Sequence, residues 1–362
     1  MKLSDFDYNL PKNLIAQEPI RPRDHSRLLL LNKRTGQIEH KHFYNIVDYL
    51  EKGDVLVLNN SRVFPARLIG KKKETSGKTE IFLLKKIKGD LWECLVGGRR
   101  KKEGLEIEFF GSDRLRPVMK GKLIKNNNDG TWQVKFNKKG NELMRVVEKI
   151  GQVPLPLYIK RNLIPSEELS SYKDKDSYQT IYANPRKIGS VAAPTAGFHF
   201  TTALIKKLKK IGVQFEYVTL HVGLGTFAPV KVDDIKKHKM HAEYAEIEKK
   251  VAERILKAKK EKRRIIAVGT TSARTLEGFL AGNIAKSARQ ITNYKLPITL
   301  FIYPSFKFKI IDAMITNFHL PKSTLLMLVN AFAGKKTINK AYKEAIKRKY
   351  RFYSYGDSMF IQ

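Results

Sequence analysis

The chain has 362 residues, of which 42% are hydrophobic and 10% aromatic, which is enough apolar material for a large core in two or three domains. Lysine and arginine number 70 against 35 aspartate and glutamate residues, so the formal net charge is +35. This excess disfavours a strongly acidic partner and favours a polyanion such as RNA. A lysine-rich composition without a specific target is the alternative.

The single cysteine, Cys94, excludes an intramolecular disulfide framework and any cysteine-rich zinc or iron–sulfur site. It lies in the apolar run 91–96, which predicts a buried strand residue rather than a nucleophile. The first residues carry no long apolar stretch, and no segment approaches the roughly 20 apolar residues that span a bilayer. We therefore expect a cytoplasmic protein without membrane contact.

The first part of the chain predicts a strand at 28–31, a helix at 43–50 that Gly53 ends, and a second strand at 54–58. Six short β-rich runs then follow between about 67 and 137, separated by turn signals and with no helix between them. Such spacing is typical of an antiparallel barrel or sandwich. We therefore predict an inserted β-barrel-like domain at residues 61–150.

A polar stretch at 161–177 predicts a long loop. Helices and strands alternate from Thr201 onward: a helix at 201–211 with Gly212 in the cap position, further helices, and strands at 213–222, 265–268, 298–303 and 311–316. This alternation indicates an α/β class with a largely parallel sheet. Residues 1–60 and 151–362 are predicted to form this discontinuous core domain.

Five of the eight histidines lie between His199 and His319, at predicted strand ends or helix starts, where α/β sheets bind ligands. In the first such segment, a turn containing Thr195 and Gly197 leads into a helix, whose free N–H groups could hold an anion. His199 could serve there as an acid or base. A capped helix with His199 as a packing residue is the alternative.

The second segment carries His221 and a turn whose glycines let the backbone approach a ligand, with Gly223, Gly225 and Thr226 as candidate binding residues. As a dinucleotide motif it is weak, because the third glycine is missing and Pro229 follows closely. A strand that ends in a flexible turn explains the segment equally well.

The third segment contains His238, His241 and Glu243. The two histidines share a face if the segment is helical, but a metal site would require further ligands. If the segment is extended, His241 and Glu243 share a face and suit acid–base chemistry. A solvated charged surface is the third interpretation.

The fourth segment places Gly269, Thr270 and Thr271 between a buried strand and a helix, where free N–H groups suit a carboxylate. Helix capping alone is the alternative, and Arg274 could simply pair with Glu277 on the helix. The fifth segment, at the end of a strand, contains three further candidates, and the aromatic C-terminal segment contains two. The aromatic residues could stack on a base or could pack in the core. These candidates are Asn317, His319, Lys322, Tyr355 and Asp357.

Taken in order, these segments resemble the S-adenosylmethionine:tRNA ribosyltransferase-isomerase family of queuosine biosynthesis. The resemblance runs from end to end of the chain. Phe198 stands where the family usually shows leucine, and Ser61 where threonine is common. The matching stretches are residues 5–8, 10–11, 15–17, 23–29, 59–68, 178–180, the histidine segments and 354–357.

The resemblance implies an α/β core with an inserted β-barrel, and an enzyme that consumes S-adenosylmethionine as a co-substrate and requires no separate cofactor or metal. It implies transfer and isomerisation of the donor's ribosyl part onto 7-aminomethyl-7-deazaguanine at the tRNA wobble position. The products are epoxyqueuosine, adenine and methionine. We expect tRNA as the partner and a monomeric enzyme.

This chemistry requires proton transfers and tight positioning. Our hypothesis is that His199, His221, His241 and His319 share the proton transfers. Thr270, Thr271 and Arg274 would hold the methionine carboxylate, and Asp357 or Glu243 would recognise the donor or the modified base.

Two other functions compete with this one. An RNA methyltransferase would use the same donor but requires a glycine loop that opens a helix, which the Gly223–Gly225 turn does not provide. A non-catalytic RNA-binding protein would leave the histidine turns unexplained. For RNA binding we predict a steep salt dependence, with the basic runs 71–73, 99–102 and 259–264 as candidate phosphate contacts.

Overall fold

The computed structural model describes residues 1–113, 115–161, 174–223, 230, 232–240, 242–280 and 294–362. The chain divides into two compact units. Unit 1 comprises Met1–Arg62, Pro156–Lys160 and Gln179–Gln362, and unit 2 comprises Val63–Leu155 and Arg161–Tyr178.

The strands are numbered in chain order. They are β1 (Arg27–Leu31), β2 (Ile38–His42), β3 (Val55–Asn59), β4 (Arg62–Val63), β5 (Arg67–Lys72), β6 (Lys78–Lys88), β7 (Leu91–Gly97), β8 (Glu106–Phe110), β9 (Pro117–Asn126), β10 (Thr131–Phe136), β11 (Ile188–Ser190), β12 (Gln214–His221), β13 (Glu243–Ile247), β14 (Ile265–Val268), β15 (Tyr294–Ile298), β16 (Ala313–Asn317) and β17 (Ser358–Ile361).

The α-helices are α1 (Gly140–Ile150), α2 (Thr202–Lys210), α3 (Lys249–Lys260), α4 (Thr270–Leu280), α5 (Thr324–Ala333) and α6 (Lys335–Lys347). Short 3₁₀ turns cover Leu3–Phe6, Lys12–Leu14, Arg23–His25, Phe43–Tyr49, Thr195–His199 and Ile235–Lys237. Among the described residues, no helix combines the length and the apolar character needed to cross a bilayer.

Unit 2 contains a closed antiparallel barrel in the order β10-β7-β6-β5-β8-β9. The six β-rich runs predicted between residues 67 and 137 are these six strands. Alternate residues of β7 are buried, as expected for a strand with one face towards the barrel interior. Cys94 is one of these buried residues, and burial raises the pKa of its thiol far above the ordinary value. The prediction of a buried strand cysteine is confirmed.

Unit 1 is built around a mixed sheet in the order β15-β13-β12-β3-β14-β16-β17-β1-β2. The central strands β12, β3, β14 and β16 run parallel, and β17 runs parallel to β1. The remaining pairs are antiparallel: β15 with β13, β13 with β12, β16 with β17, and β1 with β2. The predicted largely parallel sheet is therefore corrected to a mixed sheet, because antiparallel strands flank the parallel centre on both sides.

Both faces of this sheet are covered, which explains why its central strands are continuous apolar runs rather than alternating ones. In β3, Val55 and Val57 face one core, together with α3, α4, α5 and α6. Leu56 and Leu58 face a second core, which contains residues of α2 and of the 3₁₀ turn at Phe43–Tyr49.

Some predicted elements differ from the observed ones. The segment 43–50 forms a 3₁₀ turn rather than an α-helix. Strand β15 ends at Ile298, and residues 299–303 are not a strand, although Ile302 is buried in the core. The helix predicted at 201–211 is α2, which Thr201 caps through its side chain. Gly212 follows it with a φ of 89°, as predicted. The predicted loop at 161–177 lies mostly outside the described residues.

Candidate active site

A cleft with a volume of about 50 Å³ opens at the carboxyl ends of the parallel strands β12, β14 and β16 in unit 1. This is the edge of an α/β sheet at which ligands usually bind. Residues after these strands and residues from distant segments share the lining. They are Tyr158, Ala193, Pro194, Thr195, Ala196, Val222, Gly269, Thr270, Thr271, Thr316, Asn317, Phe318, His319, Leu320, Leu325, Tyr353 and Ser354.

The turn between β14 and α4 brings backbone N–H groups to this cleft. Gly269 adopts a φ of 88°, which a residue with a side chain rarely does, and its N–H donates to the Ile315 carbonyl at 2.8 Å. Helix α4 then begins at Thr270, so its first N–H groups have no acceptor within the helix. The Thr271 hydroxyl is buried and has no hydrogen-bond partner among the described residues. This corner can therefore donate hydrogen bonds to an anionic group.

His319 lies in the cleft wall and forms three hydrogen bonds. Its backbone N–H donates to the Tyr342 hydroxyl at 2.9 Å, and its carbonyl accepts a short hydrogen bond from the Tyr8 hydroxyl. Its Nε2 atom is 2.7 Å from the Thr316 hydroxyl. Nδ1 has no hydrogen-bond partner among the described residues. The ring is therefore fixed, with one nitrogen still available.

His199 does not line the cleft itself but contacts Asn317, which does. Its Nδ1 is 2.7 Å from the Ser26 hydroxyl, and its Nε2 is 3.2 Å from the amide nitrogen of Asn317. The amide oxygen of Asn317 accepts from Thr195 at 3.0 Å. In this amide orientation Nε2 must accept a hydrogen bond, so the proton resides on Nδ1. His199 therefore orients Asn317, which itself lines the cleft.

Both histidines are neutral at physiological pH. Burial lowers the pKa of His199 to about 3, with a smaller contribution from the charges of Arg23 and Arg351. Burial alone lowers the pKa of His319 to about 3. Each neutral imidazole therefore has one nitrogen that donates a hydrogen bond and one that accepts, and it must first take up a proton before it can act as an acid.

A buried ion pair stands behind the cleft on the β12 side. The Arg274 guanidinium on α4 donates a short hydrogen bond to Glu243, and both side chains are buried. The other oxygen of Glu243 accepts from the Gly223 N–H at 3.0 Å. Arg274 also donates to the Leu300 carbonyl at 3.2 Å, while its buried Nη2 has no hydrogen-bond partner among the described residues. The pair thus fixes the backbone directly after β12.

Comparisons with known proteins point to one family. The sequence model described as Queuosine biosynthesis protein matches residues 3–361. Two curated relatives, from Thermotoga petrophila and Thermotoga sp. strain RQ2, are each 50% identical over 362 residues, which is 100% of both chains. Both are named S-adenosylmethionine:tRNA ribosyltransferase-isomerase. The chain belongs to this family. The resemblance predicted from the sequence is confirmed, and the chain is an enzyme.

A solved structure agrees with this assignment. The crystal structure of S-adenosylmethionine tRNA ribosyltransferase from Thermotoga maritima is 38% identical in sequence, with a TM-score of 0.54. It covers 99% of this chain, and this chain covers 100% of it. The similarity therefore extends over both units rather than one.

Several residues predicted for the site gather at or directly behind the cleft. Thr195, Gly269, Thr270, Thr271, Asn317 and His319 line it. His199 supports it through Asn317. Glu243, Arg274 and Gly223 form the buried network behind it. Gly225, Thr226 and His241 lie outside the described residues.

Other predicted residues have different surroundings. His221 stacks on Tyr244 with ring centroids 6.2 Å apart, and its Nδ1 is buried without a hydrogen-bond partner among the described residues. Gly197 allows the Tyr182 hydroxyl to approach, since a Cβ there would lie 1.8 Å from that oxygen. Lys322 forms an ion pair with Asp7 at 2.7 Å.

The two residues predicted at the end of the chain have mainly structural contacts. Tyr355 stacks on Phe198, with ring centroids 5.9 Å apart. Asp357 accepts hydrogen bonds from the backbone N–H groups of Arg27 at 2.9 Å and Arg351 at 2.8 Å. Burial raises the pKa of the Asp357 carboxyl despite these two donors. Neither residue lines the cleft.

Sequence reasoning assigned no role to several residues that build the site. Tyr158 and Ser354 line the cleft and share a hydrogen bond of 2.6 Å between their hydroxyls. Tyr8, Ser26 and Thr316 fix the two histidines. Tyr8 and Ser26 lie within the stretches that match the family, and that match was the available signal. No local pattern indicates Tyr158.

Proposed function

We propose that the enzyme transfers and isomerises the ribosyl part of S-adenosylmethionine onto 7-aminomethyl-7-deazaguanine at the wobble position of tRNA. Epoxyqueuosine in tRNA, adenine and methionine are the products. The observation that carries this proposal is the 50% identity, over the whole of both chains, to relatives whose name gives the donor and the acceptor. We further propose that the enzyme acts in the cytoplasm as a monomer and uses no cofactor besides the consumed donor.

The bond changes define what the site must do. The sulfonium acidifies the ribose 5′ carbon, from which a base removes a proton. The bond between ribose and adenine breaks, and adenine leaves with its bonding electrons and is protonated. A new bond forms between the neutral aminomethyl nitrogen and the sugar, and that nitrogen loses a proton. A sugar oxygen displaces the sulfur to form the epoxide, so the sulfur leaves as the neutral thioether of methionine. The enzyme must therefore move protons and hold three leaving or attacking groups in place.

The cleft supports part of this assignment. His319 has a fixed ring and a free Nδ1, so we assign it the proton transfer nearest the sugar. The N–H groups at the start of α4 and the Thr271 hydroxyl would hold the methionine carboxylate. Arg274 is held by Glu243 and does not line the cleft, so its proposed contact with the carboxylate rests on its partnerless Nη2.

The remaining candidates keep less direct roles. His199 would orient Asn317 towards the donor. His221 and His241 stay candidates for the other proton transfers, and Glu243 and Asp357 for recognition. The cleft volume of about 50 Å³ is below the roughly 300 Å³ of typical ligand pockets. Only a part of the donor therefore fits between the lining residues as they stand.

One assay tests the proposal. The protein is incubated with S-adenosylmethionine and tRNA that carries the aminomethyl precursor, and the nucleosides and small products are identified by mass spectrometry. We expect epoxyqueuosine with equal amounts of adenine and methionine. S-adenosylhomocysteine as product would show a methyltransferase instead. RNA binding without donor consumption would show a binding protein.

A further inference from the structure

A stripe of lysines follows one face of helix α6. Lys336, Lys340, Lys343 and Lys347 are spaced by four, three and four residues, which places them on the same side of a helix. They line a groove of about 840 Å³ together with Gln37, Ile38, His40, Asn339, Glu344 and Arg348. The stripe extends over about 16 Å, at 1.5 Å per residue.

Most of these charges are not neutralised. The side chains of Lys336, Lys343 and Lys347 are exposed and form no ion pair or hydrogen bond with any described residue. Lys340 donates to the Gly36 carbonyl at 2.9 Å, which is an uncharged partner. The one acidic side chain in the described lining, Glu344, forms an ion pair with Arg348.

Such a stripe has an energetic cost in the free protein. Like charges three or four residues apart destabilise a helix by about 0.2–0.5 kcal/mol per pair. A ligand that carries a row of negative charges would relieve this repulsion. Successive phosphates of a nucleic-acid strand lie only a few ångströms apart, so the stripe is long enough to contact several consecutive phosphates.

The other face of the same helix contacts His319, a residue of the cleft wall. Tyr342 is buried, and its hydroxyl accepts the hydrogen bond from the His319 N–H at 2.9 Å. Since a helix with its side chains is about 10–12 Å across, the lysine stripe lies about that far from the residues that hold His319. A nucleic acid bound along the stripe would pass close to the cleft.

We infer that this groove, between β2 and the lysine face of α6, binds the phosphate backbone of the tRNA substrate. The inference rests on the proposed function for the identity of the RNA. Lysine is suited to this role because it neutralises phosphate as a point charge without reading sequence. The groove therefore contributes affinity and orientation rather than recognition of the wobble base.

The test uses the full-length enzyme and an unmodified tRNA transcript, with binding measured by fluorescence anisotropy from 50 to 300 mM salt. The variant Lys336→Gln/Lys343→Gln/Lys347→Gln removes three charges from the groove. The control Lys206→Gln/Lys207→Gln/Lys210→Gln removes three exposed charges from α2, in the same unit. Circular dichroism confirms that each variant is folded.

We expect the groove variant to lose about 10- to 100-fold in affinity near 0.15 M salt, and the slope of log K against log[salt] to fall by about 2 to 3. The α2 control should stay within about threefold of the wild type. The matching Lys→Arg triple variant, which keeps the charge, should retain the wild-type slope.

Equal affinity of the groove variant and the wild type would overturn the inference, as would equal losses in the groove variant and the α2 control. Neither result depends on catalysis, because the transcript lacks the precursor base and no donor is added. The nucleoside assay decides the proposed reaction separately. An enzyme that forms epoxyqueuosine normally but binds RNA independently of the α6 lysines would refute only the groove.

Discussion

Thr271 is the residue at which the cleft differs most from an ordinary protein interior. A buried hydroxyl without a partner costs the free protein about 1–3 kcal/mol, and a ligand acceptor would recover that cost. Thr275 lies one turn further along α4, and its hydroxyl does have a partner, because it donates to the Thr271 carbonyl at 2.8 Å. The two threonines therefore form a matched pair for separating ligand binding from stability.

We predict that Thr271→Val leaves the free enzyme as stable as the wild type or about 1 kcal/mol more stable, yet weakens donor binding about tenfold or more. Thermal unfolding and titration calorimetry with S-adenosylmethionine measure the two effects. Thr275→Val should lower stability and leave donor affinity within about twofold. Unchanged donor affinity in Thr271→Val would show that this hydroxyl does not contact the donor.

His319 is expected to act on the reacting groups, and Thr316 to position its ring through the 2.7 Å contact with Nε2. His319→Gln should lower kcat at least about 100-fold, the range of general acid–base catalysis, with little change in the KM for the donor. Thr316→Val should lower kcat by about tenfold. Exposed His42 provides the control as His42→Gln. A His319→Gln enzyme within threefold of the wild-type kcat would contradict the role.

At the scale of elements, helix α4 connects the cleft to two distant segments. Arg274 and Glu277 are three residues apart, and pairing on the helix was one prediction. They instead bind different partners, because both are buried and face segments far away in sequence. Glu277 accepts from the N–H groups of Lys309, Ile310 and Ile311 at 2.9–3.1 Å. Spacing on a helix predicts which side chains are neighbours, but burial decides which of them bond.

Glu277→Ala should lower the free energy of unfolding by about 3 kcal/mol or more, since three backbone N–H groups lose a charged acceptor. Urea unfolding followed by circular dichroism measures the loss. The control is Glu142→Ala on α1, where the exposed pair with Lys138 at i,i+4 contributes less than about 0.5 kcal/mol. Similar losses in the two variants would show that the three contacts add nothing specific.

For the whole molecule, local patterns predicted more of the elements than of their assembly. The six barrel strands follow from alternating side chains and turn residues between neighbours in sequence. The order of the large sheet does not, because antiparallel partners such as β16 and β17 lie far apart along the chain. The same holds for the site. His319 and Thr271 follow predicted strands, whereas Tyr158 reaches the cleft from a segment with no strand or helix signal.

The two buried histidines also affect the stability of the whole molecule. The folded pKa of each is about 3 and the unfolded value is about 6.5. Their contribution is therefore complete above pH 6.5 and is lost as the pH falls towards 3, because only the unfolded chain binds the proton. In that window, the free energy of unfolding falls by up to about 1.4 kcal/mol per pH unit for each histidine.

Urea unfolding at pH 7.5, 6.0 and 5.0 should show this decline in the free energy of unfolding. In His199→Gln the decline should be less steep, because one proton fewer is taken up on unfolding. The exposed His42→Gln control should keep the wild-type slope. If His199→Gln and the wild type lost stability at the same rate between pH 6.5 and 5.0, His199 would not be held neutral in the folded enzyme.

The position of β17 constrains when this enzyme can complete its core during synthesis. β17 lies in the interior of the sheet, between β16 and β1, and pairs along its length with both. The hairpin of β1 and β2 is made first by the ribosome, yet its place in the sheet exists only once residues 358–361 have emerged. Until then the apolar residues of β1 lack their native neighbour. We therefore expect nascent chains to depend on chaperones until translation has passed β17.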